Sequence, residues 1–269
     1  MERRVFLAAS TTAALAHSGE LARADAGDGA APAPGAKPLL VELRRYRLRN
    51  GPLQTRFSAY AKEALVPALG RAGVTPVGAF TVTFGSNSPT LHLLLPHKDA
   101  ESLLTLESRL AADADYGKAA ASLLALPASD PPFERCDSSL IGAVPTQPGV
   151  EKPAGEAAGA SRVFELRTYR SPSETAGRKK IEMFEAGGEL GIFRRLGMHT
   201  VFFGRDLVGA GLPSLTYMLA FADTAAREKA WAAFRDDAAW VKLRDQPSYA
   251  DVVSGIDASI LRPTDYSQI

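Results

Sequence analysis

One eight-residue pattern occurs twice in this chain. Leu40–Arg47 reads LVELRRYR, and Val163–Arg170 reads VFELRTYR. Each alternates in the two-residue period of a β-strand, with Glu, Arg and Tyr on one set of positions. Laid over one another, Glu42, Arg44 and Tyr46 fall on Glu165, Arg167 and Tyr169 (165 − 42 = 123). Gly73 falls on Gly197 and Tyr116 on Trp240, one residue further on (197 − 73 = 124). So small a drift over that span indicates duplication. The period is too long for a solenoid and suits two copies of one domain.

The elements around the repeats agree. In the second half a strand over RVFELRTYR is followed by RKKIEMFEAGGELGIFRRLG, with Ile181, Phe184, Ile192, Phe193 and Leu196 at near-helical spacing and Gly197 placed to end the helix. The Gly187-Gly188 pair weakens that helix locally. HTVFFGRDL and SLTYMLAFA read as a β-hairpin around the loop VGAGLP. Asp223 caps a further helix that carries Ala230, Trp231 and Phe234 inward, and VSGIDASILRP is a last strand. The first half repeats this order: strand 40–47, helix 55–72, strands 77–84 and 90–95, helix 99–125, strand 133–141. The fold class is therefore α+β, with helices on one face of an antiparallel sheet in each half. The expected division is 1–38 leader and linker, 39–141 diverged first domain, 142–161 Pro/Gly/Ala linker, and 162–269 second domain.

The N-terminus reads as an address. Arg3 and Arg4 precede an apolar, Ala/Thr-rich run and two A-x-A patterns at Ala22–Ala24 and Ala24–Ala26. This is the layout of a bacterial twin-arginine signal, and it predicts a periplasmic or secreted protein. The formal net charge of +1 and the absence of long single-sign runs give no reason to expect a nucleic-acid partner. No stretch is long and apolar enough to span a bilayer. The single cysteine, Cys136, excludes an intramolecular disulfide and a Cys-based metal cluster.

Three segments resemble the NIPSNAP family. They are Glu165-Leu166-Arg167-Tyr169, then Arg227-Glu228-Ala230-Trp231-Ala233-Phe234-Asp237-Trp240, then Leu261-Pro263-Tyr266-Ser267. The first half keeps Glu42, Leu43, Arg44, Tyr46 and Asp113 but has Tyr116 for the tryptophan and no R-E-x-A-W. The resemblance implies tandem ferredoxin-like (βαββαβ) domains of the dimeric α/β-barrel superfamily, closing here into an intramolecular barrel. The family carries no settled biochemical activity.

Side chains alternate across a strand, so Glu165, Arg167 and Tyr169 share one face with Val163, and Phe164, Leu166 and Thr168 share the other. The expectation is that the apolar set faces the helices and both Glu-Arg-Tyr sets line the enclosed lumen. Two readings of those sets stay open. One is a binding site for a polar or anionic small molecule, with Arg clamping and Glu accepting a proton. The other is a structural weld of buried ion pairs in a non-catalytic, partner-docking protein. A third reading, haem binding or degradation, needs an axial ligand such as His199. Candidate catalytic residues are Glu165, Arg167, Tyr169 and His199; candidate ligand-binding residues are Glu42, Arg44, Tyr46, Glu165, Arg167, Tyr169 and Tyr217. Trp231, Phe234 and Trp240 read as helix core. No motif implies a cofactor or a metal. The partners left open are a small-molecule ligand and a second copy of the chain.

Overall fold

In the computed structural model, which describes residues 39–85, 88–154 and 161–269, the expected elements are present with sharper boundaries. The linker residues 155–160 and the leader 1–38 lie outside the described residues. The first half runs β1 (Leu40–Arg47), α1 (Pro52–Tyr60), a π-helical turn (Ala61–Leu65), α2 (Val66–Arg71), β2 (Gly78–Phe84), β3 (Thr90–His97), α3 (Ala100–Leu104), α4 (Leu106–Ala112), α5 (Ala114–Leu124) and β4 (Arg135–Ala143). The second runs β5 (Val163–Arg170), α6 (Glu174–Phe184), α7 (Glu189–Arg195), β6 (His199–Val208), β7 (Ser214–Phe221), α8 (Thr224–Asp236), α9 (Ala238–Arg244) and β8 (Gly255–Pro263).

The helix breaks have local causes. Gly188 sits at φ 90, in the left-handed region where only glycine is unstrained. At its neighbour Gly187 a β-carbon would come within 2.5 Å of the Met183 carbonyl. The helix expected to run continuously through these two glycines therefore stops at Phe184 and restarts at Glu189. Asp237 leaves helical geometry, and its carboxylate accepts the backbone N–H groups of Ala239 and Trp240 to start α9. Asp113 does the same for α5 by accepting from Tyr116, so the helix expected over 99–125 is three shorter ones. Asp223 caps α8 at 2.7 Å from the Ala226 N–H, as its position predicts.

The eight strands form one closed antiparallel barrel in the order β1-β3-β2-β8-β5-β7-β6-β4. Each half contributes four adjacent strands, 4-1-3-2 and 8-5-7-6. The two halves join at β2·β8 and at β4·β6. At the second seam the backbones approach so closely that a β-carbon on Gly204 would lie 2.3 Å from the Gly142 carbonyl oxygen. The barrel interior is a packed apolar core to which every strand contributes. It holds Val41 and Leu43 from β1, Phe80, Leu94, Ile141, Phe164 and Leu166, Phe202, Met218 and Leu261. Phe80 and Phe164 meet across the two halves with ring centroids 4.7 Å apart.

This reverses the expected facing of the repeated strand. Phe164 and Leu166 point into the barrel, and Glu165, Arg167 and Tyr169 point out toward the helices. The same holds for Val41 and Leu43 against Glu42, Arg44 and Tyr46. An eight-stranded barrel is only wide enough inside for side chains to fill it. Two sets of charged side chains at its waist would be desolvated without enough partners. The helix layer, by contrast, can supply donors to a carboxylate.

The Gly204 approach predicts a measurable cost. Gly204→Ala should destabilise the protein by about 1–3 kcal/mol, the usual penalty for overpacking a tight contact. Urea unfolding with an unchanged m-value but a lower midpoint is the expected result.

Candidate functional site

Strand β5 holds Glu165, Arg167 and Tyr169 under the helix layer of the second half. Glu165 is fully buried, at 0% exposure. Its carboxylate accepts from Arg167 Nη1 at 2.7 Å, from Arg227 Nε at 2.7 Å and from Trp231 Nε1 at 2.6 Å. Burial pushes the Glu165 carboxyl up, but the Arg227 and Trp231 hydrogen bonds and the Arg167 charge outweigh it, so the group is held below the usual carboxylate range. The family-type helix segment thus serves to grip this one carboxylate with Arg227 and Trp231. An ionised carboxylate engaged by three donors is a poor proton acceptor, which removes the base role expected for Glu165.

Beside it opens a cleft of about 520 Å³ between sheet and helices, whose walls include Arg167, Tyr169, Lys180, Glu189, Trp231 and Trp240. The Arg167 guanidinium lies 4.8 Å from the Trp231 ring centre and 5.4 Å from that of Tyr169. Its Nε is buried and has no hydrogen-bond partner among the described residues. Tyr169 accepts a 3.0 Å hydrogen bond from the hydroxyl of Tyr217. Burial pushes both phenols up. Tyr217, expected to reach the lumen, therefore belongs to the helix side. Its ring packs among Phe184, Phe193 and Phe203.

Deeper in the cleft lies a pair that the sequence reasoning missed. Lys180 Nζ donates to Glu189 Oε2 at 3.0 Å, with side-chain exposures of only 5% and 3%. Lys180 is ringed by aromatic faces, 4.5 Å from the centre of Phe184 and 5.5 Å from that of Tyr169. Burial pushes the Glu189 carboxyl up, and the Lys180 charge only partly offsets this. A signal for the pair was present: Lys180 stands three and four residues before Met183 and Phe184, on the buried stripe of α6.

The first copy is built differently. Glu42 is held by a two-pronged contact from Arg44 at 2.8 and 3.1 Å, by Ser138 at 2.7 Å and by His97 at 3.2 Å. Burial opposes ionisation, yet His97, Arg44 and Ser138 bring the Glu42 carboxyl down to about 2. Tyr46, pushed up to about 12 chiefly by burial, packs on Phe57 at 4.9 Å and Phe133 at 5.2 Å. At the offsets that superpose the repeated strands, the two halves differ. Lys180 falls on Phe57 (180 − 123 = 57), and Glu189 on Leu65 (189 − 124 = 65). Arg227 falls on Leu103 (227 − 124 = 103), and Trp231 on Glu107 (231 − 124 = 107). Apolar packing replaces the Lys–Glu pair, and His97 with Ser138 replace the helix donors. The two Glu-Arg-Tyr sets thus lie under separate helix layers and share no lumen.

His199 is not brought to the cleft. At the start of β6, its Nε2 lies 3.3 Å from the Glu151 carbonyl oxygen. No histidine lines the second-half cleft among the described residues, so a histidine-ligated haem has no axial ligand there. No group of three His, Cys, Asp or Glu side chains suited to a metal occurs among the described residues. Trp231 and Trp240, expected as core, are half-buried cleft walls, whereas Phe234 is core and stacks on Trp240 at 4.4 Å. A second cleft of about 590 Å³ lies between α1, the β2–β3 hairpin and the C-terminal tail. Its Lys62–Asp265 ion pair is exposed, and among the described residues it holds no buried titratable pair of the Lys180–Glu189 kind. The tail itself ties the halves: Ser267 Oγ accepts the Ala79 N–H at 3.0 Å, and the Tyr266 and Ser58 hydroxyls lie 3.3 Å apart.

The family model described as NIPSNAP matches residues 41–127 and 164–268. These segments cover more than half of the chain, and the chain belongs to the NIPSNAP family. No curated protein matches it. Among solved structures, a monooxygenase-like protein from Lactobacillus acidophilus is similar over 84% of this chain and 94% of its own, at 8% identity and a TM-score of 0.56. An anthrone oxidase-like protein is similar over 85% and 92%, at 12% identity and a TM-score of 0.50. A NIPSNAP family protein from Agrobacterium tumefaciens matches 44% of this chain and 96% of its own, at 18% identity and a TM-score of 0.36. The first two likenesses are of fold: closed α/β barrels. Among the described residues no helix is long and apolar enough to cross a membrane.

Because the Glu42 carboxyl is depressed in the fold from 4.5 to about 2, its ionised form stabilises the protein above pH 4.5. That contribution, on the order of 3 kcal/mol, disappears as the pH falls toward 2. Glu42→Gln should lose this acid-dependent component. The stability gap between wild type and variant, measured by denaturant titration, should narrow between pH 5 and pH 2.

Proposed function

We propose that the second-half cleft binds a small planar molecule with an acidic enol- or phenol-type O–H, whose proton passes to the Glu189 carboxylate as the O–H bond breaks and whose resulting oxyanion is held by Arg167. The observation that carries this reading is the Arg167 guanidinium. It faces an aromatic-walled cleft with its buried Nε unpartnered, while Glu165 beneath it draws two further donors from Arg227 and Trp231. An oxyanion in the cleft would accept from the guanidinium edge that lines it, and the ring of the ligand would stack between Tyr169, Trp231 and Trp240. Glu189, whose carboxyl burial pushes up, lines the same cleft and serves as the general base, with Lys180 steadying the charge. The fold likeness to monooxygenase-like and anthrone oxidase-like proteins supports a small-molecule cavity and names no substrate.

The strand orders 4-1-3-2 and 8-5-7-6 support reading the chain as a duplicated ferredoxin-like unit in which only the second copy keeps the cleft. A specific observation favours a structural role for the first Glu-Arg-Tyr set. Glu42 has its partners on its own sheet, and Phe57 occupies the place of Lys180. We also read residues 1–38 as a twin-arginine export leader, on the strength of Arg3-Arg4 ahead of the apolar run. Replacing both arginines by lysine should retain the full-length protein in the cytoplasm of a bacterial host. Unchanged export in a fractionation experiment would refute that reading.

Arg167→Met tests the cleft. Glu165 keeps Arg227 and Trp231, so the apo melting temperature should fall by only a few degrees, in line with loss of about 1–2 kcal/mol. Thermal stabilisation by aromatic carboxylates such as 2-hydroxybenzoate should disappear. Global unfolding of the variant, or stabilisation equal to wild type, would assign Arg167 to structure alone.

A further inference from the structure

The first-half cleft plays no part in proton transfer at Glu189. It owes its existence to two strands that part. The β2–β3 ladder begins at Gly78↔Leu94 and ends at Thr81↔Leu91. Past Thr81, β2 continues along β8 alone, with Val82 opposite Leu261 and Phe84 opposite Ile260. Over the same stretch β3 stays with β1, where Thr90 pairs with Arg47. The corresponding hairpin of the second half does not open, since β6 and β7 stay paired from His199↔Ala220 to Arg205↔Leu215. The space between β2 and β3 is bordered by α1 and by the C-terminal tail, and the resulting cleft measures about 590 Å³. Small-molecule sites span about 300–1,000 Å³.

The lining combines an apolar floor with uncharged polar walls. Leu48, Phe57 and Leu91 are buried and form the floor. Ser58 on α1 and Tyr266 on the tail bring their hydroxyls within 3.3 Å of each other, and Thr81 lines the wall from β2. Burial pushes the Tyr266 phenol up, so it stays an O–H donor at neutral pH. Two hydroxyls carry two hydrogens. Their mutual bond uses one, and the other is available to an oxygen in the cleft. The charged groups lie at the mouth. Lys62 and Asp265 pair at 2.6 Å with side-chain exposures of 52% and 69%, and Glu63 is exposed. No other charged residue lines the cleft among the described residues, so no cation without a partner faces it. Tyr266 belongs to the family-type C-terminal segment. In that segment Leu261 fills the barrel and Ser267 holds the Ala79 N–H, whereas the Tyr266 hydroxyl is turned to the cleft.

We infer that the first-half cleft is a second binding site, separate from the one beside Arg167, for an uncharged apolar molecule bearing a carbonyl or hydroxyl oxygen. Its apolar body lies on Leu48, Phe57 and Leu91, and its oxygen accepts from the Ser58–Tyr266 hydroxyl pair. A carboxylate in the same place loses its hydration and finds no cation to replace it. The preference is thus opposite to that of the Arg167 cleft, which holds an oxyanion.

Tyrosine-ring NMR of the full chain tests this, with the Tyr266 signal assigned by its loss in Tyr266→Phe. Acetophenone serves as the ketone probe. Ethylbenzene, which lacks the oxygen, and benzoate, which carries a charge, are the controls. A saturable shift of the Tyr266 signal with acetophenone is expected. Ethylbenzene should bind about three- to tenfold more weakly, for the lost hydrogen bond, and benzoate at least about tenfold more weakly, for its unpaired charge. Thr81→Phe fills the cleft from the sheet and Ser58→Leu fills it from the helix. Each should abolish the shift in a spectrum that otherwise stays folded. Arg167→Met should leave the shift intact, because the second-half cleft is a different site. The assignment would be overturned by no saturable shift with acetophenone, by ethylbenzene or benzoate binding as tightly as the ketone, or by a shift that survives in a folded cleft-filling variant.

Discussion

Filling the inside of a closed eight-stranded barrel is the constraint on which the rest of this structure depends. The interior is just wide enough for side chains to meet, and here Phe80, Phe164, Leu43, Leu166 and Met218 meet in it. Because the waist of the barrel must be apolar, the charged positions of the repeated strands are turned outward under the helices. That single consequence places Glu165 against Arg227 and Trp231, puts Tyr169 over Lys180, and creates the aromatic cleft between sheet and helix layer.

The two halves then use the same strand pattern differently. Both copies keep a buried carboxylate neutralised by an arginine two residues along the strand, since a buried charge without partners would be far more costly than any packing gain. They differ in what completes the partnership. In the second copy the helix reaches down with Arg227 and Trp231 and leaves the cleft open. In the first copy His97 and Ser138, both on neighbouring strands, complete it from the sheet, and Phe57 and Phe133 fill the space beside Tyr46. The surface of the first half at Ala79 and Ser58 receives the end of the second half.

Much of this was legible from residues alone. The boundaries of β5 follow from the alternation of VFELRTYR, the cap of α8 from Asp223, and the likeness of β1 to β5 from the match between ELRRY and ELRTY. The facing of the strands was not. Neighbouring β7 is buried at every position, so its hydrophobic pattern carries no sign of which face is the barrel and which the helix layer. The Lys180–Glu189 pair was also hidden, because a charged side chain in a helical stretch ordinarily marks the solvent face, and only its spacing from Met183 and Phe184 indicated otherwise.

By itself, the sequence determined local matters: which segments become strands and helices, where they are capped or broken, and that one strand pattern occurs twice. These depend on neighbours a few residues apart and on backbone preferences at Gly188 or Asp237. Tertiary structure alone decided which side of each strand is inside, which donors grip each carboxylate, and which half has a cleft beside its Glu-Arg-Tyr set. Those outcomes rest on burial and on partners such as Arg227 with Glu165, 62 residues apart in the chain. The energy of a charge depends on what surrounds it in space, and closure of the barrel settles those surroundings.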